Sequence, residues 1–66
     1  MKLIVNGKET FSDAASIPEL LRSLDVTDPR GVAVAVNGEV IARSSWSEVR
    51  LNEGERVEVL RAVQGG

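Results

Sequence analysis

The sequence contains no cysteine, no histidine and no tyrosine among its 66 residues. Without cysteine, the chain can form no disulfide and offers no thiolate nucleophile. Without histidine, it lacks the side chain that titrates near neutral pH, and the two commonest zinc ligands are both missing. These absences exclude most of the chemistry by which a small domain catalyses a reaction or holds a metal.

An excess of positive charge and a long apolar run are also missing. Eight basic residues face ten acidic ones, which gives a net charge of −2. Nucleic-acid binding needs a clustered cationic excess, so we expect no nucleic-acid partner. The segment from Met1 to Asn6 has no apolar stretch of signal-peptide or membrane-span length. We therefore expect a cytoplasmic protein that does not bind membranes.

The acidic side chains do not suggest an active site. They are dispersed among basic residues, and no pair lies in an apolar setting that would shift a pKa. No acidic loop has the spacing of a calcium site, and the internal glycines lie in predicted turns. We expect no bound cofactor and no enzymatic activity of the chain itself.

Two Asn-Gly pairs, at positions 6–7 and 37–38, predict two β-hairpins. This dipeptide favours a two-residue turn because both central residues need positive φ. The flanking predicted strands are 2–5 and 8–11 in the first hairpin and 32–36 and 39–42 in the second. Val32–Val36 is apolar at every position, which predicts burial on both faces. A final strand is predicted over residues 56–63.

One helix long enough to cover a sheet is predicted between the hairpins. Ser16-x-x-Glu19 matches a capping box at its start. Its apolar stripe has helical spacing and consists of Ile17, Leu20, Leu21 and Leu24. A second match, Ser45-x-x-Glu48, predicts a single helical turn that carries Trp46 over the sheet edge.

This order of elements predicts an α+β fold with one main helix on one face of a four- to five-stranded mixed sheet. We predict a β-grasp (ubiquitin-like) fold. A single domain is expected over residues 1–66, with 64–66 as a flexible C-terminal diglycine tail. Glycine has no side chain, so Gly65-Gly66 can enter a narrow enzyme site that would exclude other residues. The carboxylate of Gly66 is therefore the predicted reactive group.

The final strand predicts a docking surface beside that tail. Alternation along the strand places Val57 and Val59 in the core and Leu60 and Ala62 on the opposite face. Exposed apolar residues next to a reactive end are typical of a partner-binding patch, which we expect Ile4 to extend. The predicted partner-binding residues are Leu60, Ala62, Val63, Gln64 and Gly65.

The sequence resembles the ThiS family, the sulfur carrier proteins of thiamine biosynthesis. The resemblance covers essentially the whole chain. It is carried by residues 37–43, Trp46, residues 51–58 and the closing Gly65-Gly66. Two departures stand out. Ala42 lies where the family often has proline, and Gln64 lies where small or apolar residues are frequent.

The resemblance implies a cycle centred on Gly66. An E1-like adenylyltransferase would use ATP and magnesium to convert the carboxylate into an acyl-adenylate. A cysteine desulfurase or another sulfur donor would then replace AMP with sulfur and leave a thiocarboxylate. Thiazole synthase would accept that sulfur. In this cycle the protein is a covalent co-substrate, and Gly65 is the residue that passes through the narrow enzyme site behind Gly66.

Four other functions stay open on the sequence. The small subunit of molybdopterin synthase uses the same fold and the same terminal group. Another thiocarboxylate carrier could serve cysteine or tRNA pathways. A ubiquitin-like modifier would join its diglycine to lysines of target proteins. In a plain β-grasp interaction module, the glycines would be dispensable.

Overall fold

The computed structural model describes residues 1–62, and Val63 to Gly66 lie outside the described residues. Within that range the chain forms five strands, one α-helix and one 3₁₀ helix. The elements are β1 (Lys2–Val5), β2 (Lys8–Phe11), α1 (Ile17–Ser23), β3 (Val32–Val36), β4 (Glu39–Ile41), the 3₁₀ helix (Arg43–Glu48) and β5 (Arg56–Arg61). The predicted tail and the predicted last strand residue, Val63, are therefore not described.

The five strands form one mixed sheet in the order β2-β1-β5-β3-β4. The last strand of the sequence thus lies in the middle of the sheet, parallel to β1 and antiparallel to β3. The outer pairs, β1-β2 and β3-β4, are antiparallel hairpins. This arrangement confirms the predicted α+β sheet with one main helix.

Both Asn-Gly hairpins are confirmed by backbone geometry. Asn6 and Gly7 have φ angles of 50° and 81°, and Asn37 and Gly38 have φ angles of 52° and 85°. Asparagine is the residue besides glycine that adopts this left-handed region most readily. The dipeptide is therefore compatible with each tight turn at little steric cost.

The core lies between α1 and one face of the sheet. Its buried members are Leu3, Val5, Ala14, Ile17, Leu20, Leu21, Val26, Val34, Val36, Trp46, Leu51 and Val57. Leu24 and Val59 are only half-buried at its margin. Trp46 is buried as predicted, and its indole N–H donates to the carbonyl oxygen of Ile41 at 3.0 Å. That bond satisfies the polar atom of an otherwise apolar side chain.

The predicted burial of β3 on both faces is wrong. Val34 and Val36 point into the core, whereas Ala33 is exposed and Ala35 is half-buried on the other side. The described part of the chain has a single α-helix, which covers only one face of the sheet. An apolar run cannot reveal this, because exposed alanines look the same in sequence as buried ones.

Both predicted capping boxes are also wrong. The side chain of Ser16 makes no capping bond, and Glu19 instead accepts a hydrogen bond from the backbone N–H of Ala15 at 3.2 Å. Ser16 has extended backbone angles and forms a β-bridge with Arg50, which orients it for strand pairing. The second helical segment begins before Ser45, at Arg43, and also lacks a side-chain cap.

We predict that Leu20→Ala will lower the free energy of unfolding by about 2–5 kcal/mol, because it leaves a cavity in a fully buried site. The matched control is Val40→Ala, at a residue that is 74% exposed, where we expect a change within about 0.5 kcal/mol. Urea denaturation measures both values. Equal losses for the two variants would contradict the one-sided core.

Candidate functional site

The candidate site lies at the end of β5, the last strand before the predicted diglycine tail. On one side, β3 accompanies β5 to its end, with Ala33 opposite Leu60 and Val32 opposite Arg61. The backbone N–H of Ala62, the last described residue, donates to the carbonyl oxygen of Gly31 at 2.7 Å. Gly31 has a φ of +75°, a conformation that glycine adopts without strain. The loop before β3 thus holds the end of β5.

On its other side, β5 loses its neighbouring strand earlier. The β1 pairing ends at Val5, opposite Val57. Beyond that point the side chain of Asn6 contacts the backbone of Val59. Its Oδ1 accepts from the Val59 N–H at 2.8 Å, and its Nδ2 donates to the Val59 carbonyl oxygen at 3.2 Å. A side-chain amide therefore occupies the position of the missing strand.

An apolar surface lies on the sheet face opposite α1. Pairing places Ala33 beside Leu60 and Val40 beside Ala35. Leu60 is 67% exposed and Val40 is 74% exposed. We call these four residues, Ala33, Ala35, Val40 and Leu60, the open-face patch. The two large apolar side chains lie on β5 and β4, which flank β3, and Ala33 and Ala35 of β3 lie between them. Nothing in the described chain covers Leu60 and Val40, so this apolar surface is suited to contact with a partner.

The structure brings together only some of the predicted site residues. Leu60 and Ala62 are both exposed at the end of β5. Val63, Gln64, Gly65 and Gly66 lie outside the described residues.

Ile4 is not next to Leu60, so the predicted extension of the patch by Ile4 is wrong. It pairs with Arg56, four positions before Leu60, which is about 13 Å along the strand. The charged side chains of Arg56 and Glu58 occupy the open face between these two apolar residues.

Val40 is a further candidate site residue, and alternation along β5 alone did not identify it. The two-residue turn at Asn37-Gly38 fixes Val36 opposite Glu39, and therefore Ala35 opposite Val40. Because directly opposite residues of an antiparallel pair point to the same face of the sheet, Val40 shares the face of Ala35. The turn register was the signal that could have identified it.

The loop before Gly31 is ordered by an exposed ion pair. The Arg30 guanidinium donates to Asp28 Oδ2 at 2.9 Å, and the Arg30 backbone N–H donates to Oδ1 at 3.0 Å. Both hydrogen bonds from Arg30 favour the charged form of Asp28 and hold its pKa below the ordinary value, and the side-chain bond contributes more than the backbone bond. The same contact raises the pKa of Arg30. Because both groups are exposed, the pair shapes the loop and contributes little stability.

None of the buried side chains of residues 1–62 is polar or charged. No group of three histidine, cysteine or acidic residues in that range could hold a metal ion. Nor does any helix there have the length and apolar character needed to cross a bilayer.

Comparison with known proteins gives a family match. A family model described as the ThiS family matches residues 3–66. A curated relative from Paramagnetospirillum magneticum, named thiazole synthase, is 40% identical over 67 residues. That match includes the whole of this chain but only 20% of the relative, so the chain spans about a fifth of the relative's length.

Two solved structures from Geobacter metallireducens have the same fold. The crystal structure of a thiamine biosynthesis protein (ThiS) is 39% identical, covers both chains completely and has a TM-score of 0.81. An NMR solution structure of a thiamine biosynthesis protein is 38% identical and has a TM-score of 0.83. It covers all of this chain and 88% of that one. The similarity thus extends over the whole chain.

We predict that Gly31→Ala will lower the free energy of unfolding by about 1–2 kcal/mol, because an L-residue is strained at this φ. The new methyl would meet Ala62 Cβ at 3.5 Å, an ordinary contact, so no clash adds to the strain. Gly54→Ala is the control, since its φ is +81° and nothing lies within 4 Å of its added Cβ.

Both variants should be destabilised similarly, as measured by urea denaturation. Only Gly31→Ala should also accelerate hydrogen exchange at the amide of Ala62, which bonds to Gly31. Unchanged exchange at Ala62 in Gly31→Ala would show that Gly31 does not hold the end of β5.

Proposed function

The chain belongs to the ThiS family of sulfur carriers in thiamine biosynthesis, and from this membership we propose that its carrier group is the carboxylate of Gly66. Members of this family carry sulfur and do not catalyse its transfer themselves. The observation that carries the proposal is the family match over residues 3–66, which includes both terminal glycines. The carboxylate would alternate between a free acid, an acyl-adenylate and a thiocarboxylate.

The side-chain inventory supports a terminal carrier group. The whole chain has no cysteine or histidine, and no buried side chain among residues 1–62 is polar. A covalent sulfur adduct on a side chain would need a nucleophile such as a thiolate. With that group absent, the terminal carboxylate is the best candidate, once its oxygen has become part of a leaving group.

The proposed activation follows ordinary acyl chemistry. A carboxylate oxygen of Gly66 attacks the α-phosphorus of ATP, and pyrophosphate leaves. A persulfide sulfur then attacks the carbonyl carbon and expels AMP, which gives an acyl disulfide. A second thiol must release the thiocarboxylate by disulfide exchange. Since this chain has no cysteine, that thiol has to come from the sulfur donor or from another protein.

The proposed partners are an E1-like adenylyltransferase, a cysteine desulfurase or other sulfur donor, and thiazole synthase. ATP and magnesium would be bound by the adenylyltransferase. The relative named thiazole synthase, which contains a segment similar to this whole chain, supports the last partner. It also favours thiazole formation over the molybdopterin alternative. The first two partners rest on family membership.

We propose that partners dock on the open-face patch together with Ala62, Val63, Gln64 and Gly65. Leu60 lies two residues before Ala62, so a partner surface that covers Leu60 is also close to Ala62, the last described residue before the proposed tail. Burying an exposed leucine contributes about 1.5–3 kcal/mol when its whole side chain is covered. A few such contacts can hold a carrier weakly enough for it to be released to the next partner.

We predict that incubation with the adenylyltransferase, ATP, magnesium and a sulfur donor will replace one oxygen of Gly66 by sulfur. Intact mass spectrometry and fragmentation would measure and locate the exchange. Deleting Gly66 should abolish it, since the new end would stop about 3.5 Å short of the reacting phosphate. Gly66→Ala should slow the reaction less, through the added methyl group in a narrow channel.

Two results would contradict this proposal. Sulfur found on an internal residue would show that Gly66 is not the residue that carries it. Continued sulfur incorporation by the deletion variant would show that the position of the terminal glycine does not matter. Omission of ATP is the control that separates enzymatic exchange from chemical sulfuration.

We predict that Leu60→Asp will weaken binding to the adenylyltransferase at least tenfold, because an unpaired charge in a buried contact costs more than about 1.4 kcal/mol. Stability should change little, since Leu60 is 67% exposed. The matched control is Phe11→Asp on β2, an edge strand, at a residue that is 78% exposed.

Calorimetric titration measures both affinities, and thermal unfolding checks the folds. A large fall in the melting temperature of Leu60→Asp would assign Leu60 to the core. Equal binding losses in the two variants would show that the effect is not specific to the open-face patch.

A further inference from the structure

The central strand β5 extends beyond its parallel neighbour. β1 pairs with β5 only at Arg56 and Val57, whereas β5 continues to Arg61. Over those last residues β3 pairs with one side of β5 only. The end of a strand held from one side has more freedom than its middle. This end carries Leu60 and leads towards the diglycine.

Asn6 extends the ladder where β1 stops. The backbone N–H of Ile4 donates to Glu55 and that of Asn6 donates to Val57, each at 2.9 Å to a carbonyl oxygen. The next rung, at Val59, is formed by the Asn6 side chain through both of its amide atoms, at 2.8 and 3.2 Å. The chain meanwhile turns away into Gly7. Asn6 thus follows the end of β1 and supports β5 as far as Val59, two residues beyond the last β1 pairing at Val57.

The turn alone does not require asparagine at this position. Glycine and aspartate also adopt the left-handed conformation. Of these three residues, only asparagine can donate to the Val59 carbonyl oxygen and accept from the Val59 N–H at once, because a carboxylate has no donor and glycine has no side chain. The amide of Asn6 therefore has a use beyond turn formation.

We propose that Asn6 is a positioning residue, which fixes the end of β5 so that Leu60 and the following chain meet the activating partner in one orientation. This inference rests on the proposed function, since it is the Gly66 carboxylate that must be aligned. Without the Asn6 contact, β5 samples several end positions, and only a fraction of the molecules is ready to bind. The apparent affinity falls in proportion to that fraction.

The molecule contains its own control for this inference. Asn37 occupies the same position in the second Asn-Gly turn, with φ 52° against 50° for Asn6. It too contacts β5, where its Oδ1 accepts from the N–H of Arg56 at 3.0 Å. That contact lies at the beginning of β5, away from Leu60. Replacing either asparagine by glycine keeps the turn and removes a side-chain contact to β5.

The experiment compares Asn6→Gly with Asn37→Gly at a temperature where both are fully folded. In the free protein, Asn6→Gly should accelerate hydrogen exchange of the Val59 amide by about tenfold or more, and Asn37→Gly should not.

The second measurement uses the adenylyltransferase with ATP and magnesium, where the rate of pyrophosphate release gives KM and kcat for the carrier. Asn6→Gly should raise KM about three- to tenfold and change kcat less than about twofold. Asn37→Gly should change KM less than about twofold.

A rise in KM with little change in kcat distinguishes a positioning role of Asn6 from a purely stabilising one. Loss of folded protein alone would not produce it at this temperature, because both variants are folded. Equal KM increases in the two variants would overturn the inference, and so would unchanged Val59 exchange in Asn6→Gly. If the unaltered protein released no pyrophosphate, the proposed function would fail, and the inference that rests on it would fail too. Failure of the unaltered protein to release pyrophosphate can be told apart from equal KM increases in the two variants, which would overturn only the inference about Asn6.

Discussion

The pairing of β5 with both of its neighbours is the interaction on which the rest of the structure depends. β5 joins the two hairpins into one sheet, since β1 lies on one side of it and β3 on the other. Val57, fully buried, takes part in both pairings. The two asparagine side chains add contacts at Arg56 and at Val59. The strand that leads to the proposed carrier group is therefore also the strand that joins the two hairpins.

The two hairpins and the main helix were within reach of the sequence. The Asn-Gly turns and the apolar stripe of α1 are local signals, and the structure confirms both. The capping boxes failed because Ser16 is engaged in long-range pairing with Arg50, which a local motif cannot show. Burial of β3 on both faces failed for a similar reason, because what covers a strand depends on the rest of the fold.

The candidate site was predicted only in part, and the reason is again long-range geometry. Alternation along one strand identified Leu60, since that argument needs no partner strand. Val40 and the separation of Ile4 from Leu60 depend on register between strands, which turns and pairings set. The side-chain contact of Asn6 with Val59 joins residues 53 positions apart in the sequence. The absence of cysteine and histidine followed directly from the composition, because such an absence does not depend on folding.

The size of the domain explains why one face of the sheet is left open. A chain of 66 residues has one main helix in its described part, and this helix can cover one face only. Exposed alanines and single large apolar residues on the other face cost little, provided that charges interrupt them, as Arg56 and Glu58 do. The edge strands β2 and β4 are short, with four and three residues, which limits pairing between copies. A one-sided core thus leaves one face of the sheet open, and the end of β5, which precedes the proposed carrier group in the sequence, carries Leu60 on that face.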